Sequence, residues 1–268
     1  MKNTMKKLAW MTLGTCLLAC CTTQKPALGQ SIPQCESNRT QAQFATYTSG
    51  CYQTPTVYQV TINEMGLCEA NPFSGSSFDD STCFATFTGS QTVDVAGGAS
   101  FNLTGGTSER PANGLYPYAY AKMSNLMGIT GSYAISGGST YATTTTATTT
   151  LATTTSNVST GSAAISPVTL NSFGATCTAS TSLGVSSGTL NAYLTTSDYS
   201  LASDCTSATA MVGTFTPNAP FEIDETCTGM LISFKVSNTG MQIIPSTTTG
   251  LPDRMIPGAF EPVLSLIK

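Results

Sequence analysis

An all-β fold, an antiparallel β-sandwich, is the class this sequence predicts, and three observations carry that prediction. Apolar and polar residues alternate with a period of two in several runs, no window of about 11 residues beyond the first thirty sustains a helical period, and turn signals separate the runs. Tyr58, Val60 and Ile62 alternate with Gln59, Thr61 and Asn63, and Ile232, Phe234 and Val236 with Ser233, Lys235 and Ser237. Further strands are expected, in chain order, at Phe84 to Phe87, Gln91 to Val95, Tyr116 to Met123, Tyr133 to Ile135, Val168 to Leu170, Thr189 to Leu194, Met211 to Phe215, Met241 to Ile244 and Val263 to Ile267. Between them lie Gly97-Gly98, Gly105-Gly106, Asn113-Gly114, Gly137-Gly138, Pro217-Asn218 and Asn238-Thr239-Gly240, the residue types that turns require. A body spanning 35–268 has room for one large sandwich or two small ones, packed or in tandem.

Residues 139–160 stand apart. From Thr143 to Thr155 ten of thirteen residues are Thr, with Ala142, Ala147 and Ala152 recurring every five positions. That period matches neither helix nor strand, while the β-branched Thr favours extended backbone. The expectation is a low-complexity insertion, either an extended arm or an internal boundary, that adds a strand edge for self-association.

Composition excludes several functions. The chain has 268 residues, 9% of them charged, no His, and 47 Thr with 31 Ser. Without His there is no Ser-His-Asp or Cys-His catalytic site and no His-ligated metal. Past Lys2, Lys6 and Lys7, seven basic residues face 14 acidic ones, a net charge near −7. Nucleic-acid binding needs the opposite sign.

The first thirty residues read as a targeting segment. Lys2, Lys6 and Lys7 precede an apolar run from Leu8 to Leu18 that is too short for a lasting membrane span. Leu17-Leu18-Ala19-Cys20 follows, and it resembles the lipobox of bacterial lipoprotein signal peptides. The resemblance implies a signal at 1–19, lipidation of Cys20 and a tether over 20–34. Cys at position 21, where Asp would signal inner-membrane retention, implies the outer membrane or cell surface if the host has two membranes. The alternative is cleavage after Ala27-Leu28-Gly29, without lipid, which gives a periplasmic or secreted protein.

Export places the cysteines in an oxidising compartment. Cys35, Cys51, Cys68, Cys83, Cys177, Cys205 and Cys227 lie in the body, and seven is odd. Spacing suggests Cys35 with Cys51 and Cys68 with Cys83, leaving one of the last three unpaired, although four cysteines allow three connectivities.

Motifs with chemical meaning are sparse. Gly184-Val185-Ser186-Ser187-Gly188 has the spacing of a nucleophile elbow but lacks a base and a strand-turn-helix context. Ser265 and Lys268 have the S-x-x-K spacing in a strand-like run at the C-terminus. Asp79 and Asp80, or Glu222 and Asp224, could lend oxygens to Ca²⁺, but no EF-hand loop accompanies them, so surface acids are the simpler reading. Neither a metal nor any other cofactor is implied. Tyr116, Tyr118 and Tyr120 fall on one face of an expected strand that Pro117 assigns to a sheet edge, and could present a sugar-stacking platform.

Three functions are therefore weighed. The first is a non-catalytic, lipid-anchored surface protein with a structural or adhesive role, whose partners are the membrane and another surface protein. The second is a glycan-binding module using the Tyr face, and the third a glycoside hydrolase using two carboxylates.

Overall fold

The computed structural model describes residues 32–268 apart from 102, 152–154 and 175. Cys20 and the signal lie outside the described residues. The fold is all-β, and the one helix among the described residues is the four-residue turn Gln41–Phe44, capped by the reciprocal hydrogen bonds of Thr40 and Gln43. No described helix is long and apolar enough to cross a membrane.

Three long segments form the spine. Val57–Cys68 pairs along one edge with Cys83–Asp94 and along the other with Tyr118–Ser124 and Leu126–Thr130, which run on almost as one strand. At Asn125 the sheet forks. Ala210–Pro217, Gly188–Thr195 and Ser180–Val185 extend one limb, and Ser166–Thr169 extends the other. The fork leaves backbone groups without ladder partners, and buried Asn125 satisfies them: its Nδ2 donates to Leu170 O at 3.2 Å and Ala208 O at 2.9 Å. All pairings between these strands are antiparallel except that of Thr148–Thr149 with Ser166–Thr169.

Smaller sheets cover the spine. The antiparallel pair Gly229–Lys235 with Glu261–Ile267 sets Ile232 and Phe234 into a core with Tyr58, Ile62, Met65 and Met123. Cys51–Gln53, Met241–Pro245 and Pro252–Pro257 form a three-stranded sheet whose Met241, Ile243 and Met255 pack with Phe44, Tyr133 and Ile129. Leu67, Ala119, Phe215, Tyr116 and Ile223 make a third cluster. Pro33 and Cys35 hydrogen-bond the backbone of Tyr52, so pairing with the domain begins within the last residues of the expected tether.

The Thr tract is woven in. Thr140–Thr143 lies between Ser132–Ala134 and Val158–Thr160, and Ala142, Thr143, Thr148 and Asn157 are all buried. Composition did not reveal this, because a Thr can be buried once its hydroxyl finds a backbone carbonyl. Thr143 Oγ1 donates to Ala164 O at 2.6 Å, and Thr148 Oγ1 to Thr155 O at 3.0 Å.

The tyrosine run is corrected. Pro117 separates Gly114–Tyr116, which pairs with Phe221–Ile223, from Tyr118–Ser124, which is central in the large sheet. The proline sits where the chain passes from one sheet to another, so no ladder hydrogen bond is lost and no edge position is needed.

Candidate functional site

A cavity of about 450 Å³ opens between the spine and the strand Gly229–Lys235. The alternation of Val57–Cys68 turns Met65 and Leu67 toward it, and Phe87, Ile223 and Ile232 complete a buried apolar floor. Phe101 and Leu103 form a half-buried wall, and the exposed Ser108, Glu109 and Thr228 ring the mouth. A smaller apolar space of about 40 Å³ adjoins it, sharing Met65 and Ile232 and reaching Gly213 and Phe260. The two-stranded pair therefore covers the sheet without filling the space beneath it. A concave, mostly apolar pocket with a polar rim is the usual form of a small-molecule site, and the larger volume falls in the ~300–1,000 Å³ range of such sites.

Arg110 fixes the mouth. Its guanidinium donates to Cys227 O at 3.1 Å, Pro111 O at 3.0 Å, Asn113 Oδ1 at 2.6 Å and Asp224 O at 2.6 Å, fastening residues 110–113 to the 224–227 turn. That turn is braced again by Asp224, whose Oδ1 accepts from Thr226 N at 2.8 Å and whose Oδ2 pairs with Lys268 at 2.7 Å. The bond from Lys268, then those from Thr226, hold the Asp224 carboxyl below the ordinary carboxylate range. Cys227, the one free cysteine among the described residues, is buried at the cavity wall and its thiol donates to Glu222 O at 3.5 Å.

Six other cysteines form disulfides: Cys35–Cys51, Cys68–Cys83 and Cys177–Cys205. The two local pairs are those the spacing suggests; the third spans 28 residues and leaves Cys227 as the odd thiol. Three disulfides indicate an oxidising compartment, extracellular or periplasmic.

The three tyrosines do not share a face. Tyr116 is 5% exposed, packed in the third core with its hydroxyl on Ala112 O, and Tyr118 is half-buried. Tyr120, 4% exposed, lies on the opposite side of the sheet beneath Phe78, its ring over Gly66, where a Cβ would come within 2.4 Å of Tyr120 Cε1. Rings so enclosed cannot stack a sugar, which removes the platform reading.

Asp80 meets Tyr120 across a cluster the sequence did not announce. Lys122, 6% exposed, places Nζ 2.8 Å from Glu64 Oε1 and 3.4 Å from Asp80 Oδ2, and Tyr120 donates to the same Glu64 oxygen at 2.7 Å. Burial first, then the Glu64 bond, push the Tyr120 hydroxyl far above its ordinary pKa, so it stays a donor. Asp79 instead accepts from Ser81 N at 2.9 Å, and Glu222 is exposed on Phe221–Ile223. Among the described residues no group of three or more Cys, Asp or Glu is placed to hold a metal ion.

The remaining motifs fall into structural roles. Ser186 and Ser187 form the two-residue turn between Ser180–Val185 and Gly188–Thr195, and Ser186 Oγ donates to Glu261 at 2.7 Å. Ser265 lies in a strand, while Lys268 is bound to Asp224. The signal that could have found Lys122 and Glu64 was their charge in strands otherwise rich in apolar residues, in a chain where charge is scarce. Compared with known families, curated proteins and solved structures, the chain matches none.

Proposed function

We propose that this chain is an exported, membrane-tethered binding protein that holds a small amphipathic ligand in the cavity beneath the Gly229–Lys235 strand and catalyses no reaction on it. The cavity carries the reading. Its buried floor of Met65, Leu67, Phe87 and Ile232 suits an apolar body, and Ser108, Glu109 and Thr228 at the exposed mouth suit a polar head in contact with water. The cavity moves the reading from a structural or adhesive surface protein to a ligand carrier or sensor.

Export is supported by the disulfides and by the lipobox-like Leu17-Leu18-Ala19-Cys20. Acylation at Cys20 would hold the domain at a membrane, since each buried CH₂ contributes about 0.8 kcal/mol. Mass spectrometry of the mature N-terminus tests this, because an unmodified peptide beginning at Gln30 overturns the anchor. For the ligand, the purified full-length protein is extracted with organic solvent and the extract analysed by mass spectrometry. One small molecule per chain is expected, lost from a Leu103→Trp variant that folds normally. An extract of the same content from both proteins overturns the assignment.

A further inference from the structure

We infer that Lys122 and Asp80 are the partners of an intramolecular amide cross-link, with Glu64 as the proton-transfer group. The observation is a buried amine with two carboxylates in reach: Nζ lies 2.8 Å from Glu64 Oε1 and 3.4 Å from Asp80 Oδ2. Around it stand three rings, with Phe78 at 4.6 Å, Tyr199 at 4.8 Å and Tyr120 at 5.8 Å from Nζ to the ring centroid. The rings and the sheet keep water from the nitrogen. Enclosure holds the amine against the carboxylates with little freedom to turn away from them.

The two carboxylates are not equivalent. Glu64 stands directly opposite Lys122 on the neighbouring strand, and its Oε1 takes both the lysine contact and the Tyr120 hydroxyl. These bonds fix its carboxylate beside the amine. Asp80 comes from a separate segment: its backbone carbonyl accepts from Cys83 N at 2.9 Å, beside the Cys68–Cys83 disulfide. Its side chain is 62% exposed, so a leaving water has an exit.

The step balances without any co-reactant. Glu64 takes a proton from the Lys122 ammonium and passes it to the Asp80 carboxylate, which becomes the acid. Nζ attacks Cγ of Asp80, the N–C bond forms, a C–O bond breaks, and protons relayed through Glu64 leave with the departing oxygen as water. One ammonium and one carboxylate become one amide and one water. Holding the groups in contact replaces a bimolecular encounter with an intramolecular one, which favours the amide by high effective molarity. The bond would join the Asp80 segment to the centre of the large sheet.

The deciding measurement is covalent and is made on the wild-type chain, so it does not depend on how a variant folds. Full-length protein is reduced, alkylated and digested with chymotrypsin, and the peptides are sequenced by tandem mass spectrometry. The expected product is a branched peptide joining Lys122 to Asp80, lighter by about 18 Da, the mass of one water, than its two components. Glu64→Gln should lose that product while Lys122 and Asp80 peptides appear separately. Linear peptides with an unmodified Lys122 in the wild-type digest overturn the proposal, as does a branch from Lys122 to Glu64. Formation of the bond at the wild-type level in Glu64→Gln would overturn the role of Glu64.

Discussion

Replacing Asn157 with Ala should destabilise the protein by about 3–5 kcal/mol, although the residue lies in a tract that looks like a linker by composition. The magnitude follows from its contacts. Asn157 is fully buried; its Nδ2 donates to Ser166 Oγ and to Met255 O, each at 2.8 Å, and its Oδ1 accepts from Met255 N at 2.9 Å. Truncation orphans the N–H and the C=O of Met255 at a fully buried position, at roughly 1–3 kcal/mol each, and opens a small void. Thr145→Ala, at an exposed position in the same tract, should change stability by less than about 0.5 kcal/mol. Urea unfolding of the oxidised protein, followed by near-ultraviolet circular dichroism, measures both. If Asn157→Ala shifts the stability by under about 1 kcal/mol, the tract is not packed as described and the reasoning fails.

Two glycines should respond with opposite signs. A Cβ at Gly66 would stand 2.4 Å from both Phe84 O and Tyr120 Cε1, so Gly66→Ala should destabilise by about 3 kcal/mol, because the clash is partly with backbone. A Cβ at Gly213 would meet Met123 Cε at an ordinary 3.5 Å and enter the smaller apolar space, so Gly213→Ala should stabilise by about 0.5–1 kcal/mol; thermal melts check both. Acid should weaken the fold. Asp224, Asp204, Asp198 and Asp79 are each held below their ordinary pKa by hydrogen bonds made in the folded state, with Lys268 the largest contributor at Asp224. Their contribution is present above the unfolded value and is lost as pH falls through the folded one, so unfolding midpoints should drop between about pH 5 and pH 2. Asp224→Asn should make that drop shallower, and an unchanged slope would refute the assignment.

The strands are legible because half-buried strands carry a period of two: Tyr58, Val60 and Ile62 alternate with polar residues, and all three are buried. The segments that escaped have other patterns. Leu126–Thr130 reads Leu-Met-Gly-Ile-Thr, without alternation, because it continues its predecessor past Asn125, and Ser180–Val185 carries too few apolar residues to register. The disulfides at short spacing were readable, whereas Cys177–Cys205 depends on a long-range approach that spacing does not encode. The tyrosine face did not survive the structure. Tyr116 and Tyr120 share a face only if Pro117 keeps the strand continuous, whereas the contact of Asp80 with Lys122 joins a loop to a distant strand and has no signature in the local sequence. The cavity was invisible in principle, because an unfilled space is a property of how Gly229–Lys235 sits on the sheet, not of any one residue.

The central claim is that the space beneath Gly229–Lys235 takes an apolar ligand, and titration with the fluorescent probe N-phenyl-1-naphthylamine tests it most directly. Full-length protein should bind the probe saturably at one site per chain. Leu103→Trp and Met230→Trp, which project a larger ring from two different walls into the same cavity, should each weaken that binding at least tenfold, about 1.4 kcal/mol, with melting behaviour close to wild type. Equal affinity in all three proteins, or no saturable binding in the wild type, would contradict the account.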